Sequence, residues 1–139
     1  MEQETGLSLK NSNCISNQTM RKSLIQEKAY SFALTIIELY RLLVQQNEYV
    51  MSKQLLKSGT SIGANVEEAL AGQSRPDFLS KMSIASKEAR ESNYWLRLLR
   101  DSKIVEKKYL LKPLADSEEI ISMLTSIVKT TSKTATSKN

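Results

Sequence analysis

Three sets of side chains in the middle of this chain recur at helical spacing, and each could do a different chemistry. Glu67, Glu68, Glu88 and Glu91 are the carboxylates that a di-metal centre in a helical bundle would need. Such centres also draw a Glu-x-x-His pair from two of their helices, and the chain has no histidine. The same absence removes Ser-His and Cys-His nucleophile pairs, imidazole ligands, and the one side chain that titrates unperturbed near neutral pH. No P-loop, glycine-rich dinucleotide fingerprint or zinc-spaced cysteine set occurs either, so the expectation is a non-enzymatic protein with no metal and no cofactor.

The second set is Ser58, Ser61, Asn65 and Glu68. Steps of three, four and three place them within about 80° of one another on a helix, beside its apolar stripe. They form a polar seam, the kind of pattern that fixes a helix–helix contact or an assembly. Gly59 and Gly63, one turn apart, leave a bare strip that another helix could approach closely. The third set, Lys87, Arg90, Tyr94 and Arg97, lies within about 80° on one face of the next helix. Three cations and one ring could hold phosphates and stack on a base, as single-stranded nucleic-acid sites do. An ordinary solvated helix face has the same composition, and the sequence leaves both readings open.

The elements that position these residues follow from periodicity. Ile25, Ala29, Phe32, Ile36, Leu39, Tyr40 and Leu43 recur at three and four from about Met20 to Gln46. The pattern resumes after Asn47 with Met51, Leu55, Ile62, Val66 and Ala69, and Gly72 is placed to close that helix in a left-handed conformation. Ser74 or Arg75 precedes Pro76, suited to a first helical position, and Asp77 suits the positive end of a third helix running to about Ser102. Leu110, Leu114, Ile121, Leu124, Ile127 and Val128 mark a fourth, with Pro113 at its start or at a kink. Nothing alternates as a strand would. The predicted fold is all-α, an antiparallel up-down four-helix bundle over residues 20–129, with tails at 1–19 and 130–139.

The third helix is apolar over more of its circumference than one core requires. Phe78, Met82, Ala85, Ala89, Leu96 and Leu99 form one arc, and Ile84, Trp95 and Leu98 a second beside it. The extra width predicts a second buried surface against another subunit. Glu88 and Glu91 fall in that arc and would need basic partners: Lys53, Lys57, Arg41, or a cation from a neighbour. Glu91 in particular is expected to be buried against such a cation.

At 139 residues and 15.7 kDa, one domain is the expectation. The net charge of +5 is local: between Lys81 and Lys112 nine basic residues face four acidic ones, and elsewhere eleven of each balance. A polyanion partner is permitted, though not required, by that excess. No apolar run approaches the roughly 18 residues of a membrane span, the first residues lack the pattern of a secretory signal, and the lone Cys14 cannot close an internal disulfide. The expectation is a cytoplasmic protein without a membrane partner, with Cys14 an incidental thiol.

The stretch QLLKSGTSIGANVEEA from Gln54, with Asp77–Phe78, KEARES from Lys87 and Tyr94–Trp95–Leu96, resembles the four-helix-bundle family of proteins encoded in 23S ribosomal RNA intervening sequences, over about Met20 to Lys129. Lys57 stands where many members have arginine. The resemblance implies a small helical protomer that assembles into a ring, typically a homopentamer, with no known enzymatic activity. The fold is also similar to the accessory variability determinant of diversity-generating retroelements, a basic pentameric barrel. That likeness implies RNA or DNA, and a reverse transcriptase, as partners. A purely structural or protein-adaptor role is the competing expectation.

Overall fold

The computed structural model describes the backbone of residues 4–136, and the side chains of Met20 and residues 24–134; Cys14 lies outside the described side chains. Four helices follow one another: α1 (Glu4–Gln45), α2 (Val50–Ala71), α3 (Arg75–Asp101) and α4 (Leu111–Thr136). A single 3-10 turn, Lys107–Tyr109, precedes α4. No strand occurs among the described residues. The positions where the sequence loses its apolar period, 19/20 and 129/130, are not helix boundaries, since α1 begins at Glu4 and α4 runs to Thr136.

The helix ends have identifiable causes. α1 stops at a turn in which Asn47 takes a left-handed φ of 64°, a conformation asparagine tolerates better than branched residues do. The Glu48 carboxylate then accepts the backbone N–H groups of Met51 (3.2 Å) and Ser52 (2.8 Å), filling the role of a cap for α2. Gly72 ends α2 in an extended conformation (φ −66°, ψ 148°), not the left-handed one expected. A Cβ there would meet the Asp77 carboxylate, the far end of an exposed side chain that can rotate away. Ser74 caps α3 by accepting from Asp77 N at 3.2 Å, with Pro76 in the first turn. Pro113 falls in the first turn of α4, so it marks a start and no kink.

Cross-links between helices give the topology. Ala29 and Ile36 of α1 lie against Gly63 and Gly59 of α2, respectively, and Gln26 bonds Glu67 at 2.9 Å. Ser58 and Glu68 of α2 meet Ser92 and Lys81 of α3. Arg90 and Asn93 of α3 meet Thr125 and Ser117 of α4. In each set one number rises as the other falls, so every helix is antiparallel to the next. Lys28 of α1 pairs with Glu119 of α4, closing the bundle along its least extensive seam.

The core is filled by the predicted stripes, including Phe32, Leu55, Ile62, Met82, Leu96 and Leu124, each at most 1% exposed. On α4 the buried isoleucine is Ile120, with Ile121 only half-buried. Tyr40 and Met51 are likewise half-buried at the edge. No described helix is long and apolar enough to cross a membrane.

Candidate nucleic-acid interface

The α2 seam divides in the structure. Ser58 is buried and accepts from the Ser92 hydroxyl of α3 at 2.9 Å, while donating to the Leu55 carbonyl at 3.3 Å. Ser61 and Asn65 are half-buried and bond within their own helix, to the carbonyls of Lys57 (2.6 Å) and Ser61 (2.8 Å). Glu68 is exposed and ion-pairs with Lys81 at 2.8 Å. The hydrogen bond and charge of Glu68 push the Lys81 pKa up from its ordinary value. So two of the four residues bind α3 and two do not.

The second arc of α3 is open on the single chain. Ile84 is 38% exposed, Trp95 and Leu98 are half-buried, and Glu91 is exposed. Glu91 departs from expectation: its partner is no cation but the Trp95 indole N–H, which donates to its carboxylate at 3.2 Å. The physical reason is helical spacing, since a side chain four residues on lies directly over the carboxylate. Glu88, one turn back, is the half-buried member of the pair. Burial, and then the negative charge of Glu91, hold its pKa above the usual carboxylate value against the pull of Lys57.

On the other flank of α3, Lys87, Arg90, Tyr94 and Arg97 are all exposed. Arg90 reaches across to donate to the Thr125 hydroxyl of α4 at 3.0 Å. Arg97 donates to the Asn93 side-chain oxygen at 2.9 Å, and Asn93 in turn donates to the Ser117 hydroxyl of α4 at 3.0 Å. The Arg97 guanidinium lies 5.8 Å from the centre of the Tyr94 ring, within cation–π range. Tyr94 itself meets Trp95 edge-on, with centroids 5.4 Å apart and planes at 65°.

These partners are neutral. Among the described residues, none of Lys87, Arg90 and Arg97 has a carboxylate within ion-pairing distance, so the face keeps its charge while two of its cations are oriented. Next along the chain, Arg100 and Asp101 neutralise one another at 2.8 Å. That pairing raises the arginine pKa and lowers the aspartate's.

Sequence reasoning passed over Ser92, Asn93, Ser117 and Thr125, which tie α3 to its neighbours. Ser92 was legible, because it interrupts the buried series Ala85, Ala89, Leu96, Leu99 at core spacing. Ser117 sits in the same way after Leu114. Asn93 and Thr125 carried no such signal, since their pairing depends on the register between α3 and α4. No three described residues of the metal-ligating types come together as a metal site requires.

The sequence profile of the 23S rRNA-intervening sequence proteins matches residues 21–126. No curated protein matches the chain. Among solved structures, the chain is similar to a protein of unknown function from the S23 ribosomal protein family of Bacteroides thetaiotaomicron. The two are 46% identical, the match covers 78% of this chain and 98% of that one, and the TM-score is 0.75. An identity this high over nearly all of the other chain, together with a profile match over residues 21–126, settles the family. This chain belongs to the 23S rRNA-intervening sequence protein family.

Proposed function

We propose that this protein is a non-enzymatic homo-oligomeric bundle, five copies in a ring, that binds nucleic acid or a ribonucleoprotein through the basic face of α3. The observation that supports it is the division of α3 into three sides. One fills the core, one carries Ile84, Trp95 and Leu98 beside Glu88 and Glu91, and one keeps three cations without carboxylate partners. An incompletely covered apolar arc is what a subunit contact would cover, and cations left unneutralised are what a polyanion would use. Repetition gives the second side a role in the third: several copies of a weak patch acting on one strand gain roughly two to four orders of magnitude in avidity.

Light scattering on the purified protein tests the assembly, with a mass of about five times 15.7 kDa expected and a monomer at micromolar concentration overturning it. Nucleic-acid binding should be steeply salt-dependent. Changing Lys87, Arg90 and Arg97 together to glutamine should nearly abolish it while the mass stays unchanged. A parent protein that binds neither RNA nor DNA at low salt would leave a protein-adaptor role.

A further inference from the structure

The basic face does not end at Arg97. Beyond α3 the chain turns at Lys103, which takes a left-handed φ of 58°, and passes through the 3-10 turn Lys107–Tyr109 before α4 begins. The turn is pinned to the bundle on both sides. Val105 and Leu110 are buried, and Tyr109 and Leu110 donate their backbone N–H groups to the carbonyls of Glu106 (3.1 Å) and Lys107 (3.0 Å). Held in this way, Tyr109 stays 42% exposed, with the Lys108 ammonium, itself paired with Glu106 at 3.5 Å, 5.0 Å from the centre of its ring. It repeats the arrangement at Tyr94, 48% exposed under Arg97. Lys103 and Lys107, like Lys87, have no carboxylate within ion-pairing distance among the described residues.

Two exposed rings, each beside a cation and each on a rigid support, are stacking platforms. Tyr94 lies seven residues before the end of α3, about 10 Å along the helix axis, and Tyr109 follows in the turn beyond that end. A duplex cannot use them, because its bases are already stacked.

We infer that the strip from Lys87 to Tyr109 is a single-strand site, taking unpaired bases on Tyr94 and Tyr109 and the sugar-phosphate backbone on Lys87, Arg90, Arg97, Lys103 and Lys107. This rests on the nucleic-acid reading above and narrows it to one substrate class. Sequence tolerance follows from the chemistry, since every base offers a ring face.

The test is fluorescence anisotropy with a labelled oligo(U), an oligo(dT) and a duplex DNA of equal length at matched salt. Single strands should bind at least tenfold more tightly than the duplex. Tyr94→Ala and Tyr109→Ala should each weaken single-strand binding roughly tenfold and leave duplex binding unchanged, while Tyr94→Phe and Tyr109→Phe, which still stack, should bind as the parent does. Circular dichroism on each variant checks the fold, and Tyr109, away from the Trp95 contact, carries the result if Tyr94→Ala disturbs α3. Equal binding of single strand and duplex, or single-strand binding indifferent to both tyrosines, overturns this inference and leaves the nucleic-acid reading standing. Binding to none of the three at low salt overturns both.

Discussion

At the scale of single residues, the structure separates polar groups that hold the bundle from those that burden it. Ser58 and Ser92, both buried, meet each other across the α2–α3 contact and each also donates to a carbonyl of its own helix, Leu55 and Glu88 respectively. Either serine changed to alanine should cost about 1 kcal/mol in chemical denaturation, and the double variant less than the sum, because the bond between them can be lost only once. Ser52 is the contrasting case. It is fully buried, and among the described residues its hydroxyl is the one buried side-chain oxygen with no partner. Ser52→Ala should therefore raise stability by about 1 kcal/mol, read as a higher denaturation midpoint at unchanged slope. Glu88 makes the prediction about pH. With its folded pKa raised by burial and by Glu91, the stability it contributes is present in acid and lost as pH rises past 4.5 and through the folded value. Glu88→Gln removes that loss, so the melting temperature of the variant should gain on the parent between acid and neutral pH. The reverse sign would mean that a cation from a neighbouring copy holds the carboxylate.

At the scale of elements, the two glycines of α2 divide according to what α1 presents to them. A Cβ at Gly59 would sit 3.0 Å from two side-chain carbons of Ile36, whereas at Gly63 the nearest atoms are 3.7 Å away on Ala29. Gly59→Ala overpacks the α1–α2 seam and should cost about 1–3 kcal/mol. Gly63→Ala makes ordinary contact and gains helix propensity, so it should stabilise by about 0.5–1 kcal/mol. Thermal melts of the two variants should move in opposite directions. The pair was legible in the sequence as a bare strip one turn long; which of the two tolerates a methyl group depends on the side chain opposite, and no helix periodicity contains that. Gly72 shows the same limit. Its place at the end of α2 was legible, but its backbone is extended, not left-handed, and what lies over it is the Asp77 carboxylate of the next helix.

At the scale of the whole molecule, the distribution of charge is what the bundle turns into a surface. Nine basic residues against four acidic ones between Lys81 and Lys112 are spread around α3 and its exit. Lys81 is spent on Glu68, Arg100 on Asp101, and Lys108 and Lys112 on Glu106 and Asp116. What remains is the strip of Lys87, Arg90, Arg97, Lys103 and Lys107. Salt should reveal this partition, because only cations that reach phosphate release counterions. The slope of log affinity against log salt should fall by roughly one for each strip lysine changed to glutamine, and should not change for Lys81→Gln.

Helicity, the places of the four core stripes, the family resemblance and the concentration of cations between Lys81 and Lys112 were all legible in the sequence. These are properties of local spacing: a period of three and four is written residue by residue, and it fixes which side of each helix is buried. Which polar residues meet followed from the packing of helices in every case but Glu91, whose partner is set by helical spacing. Glu91 finds Trp95 on its own helix, Ser58 finds Ser92, and Arg90 and Asn93 find Thr125 and Ser117. The last three pairings depend on the axial register and separation of neighbouring helices, which the packing of all four stripes sets together. The Tyr109 platform has the same origin, since a tyrosine in a short turn becomes a fixed surface only when Val105 and Leu110 on either side of it are drawn into the core.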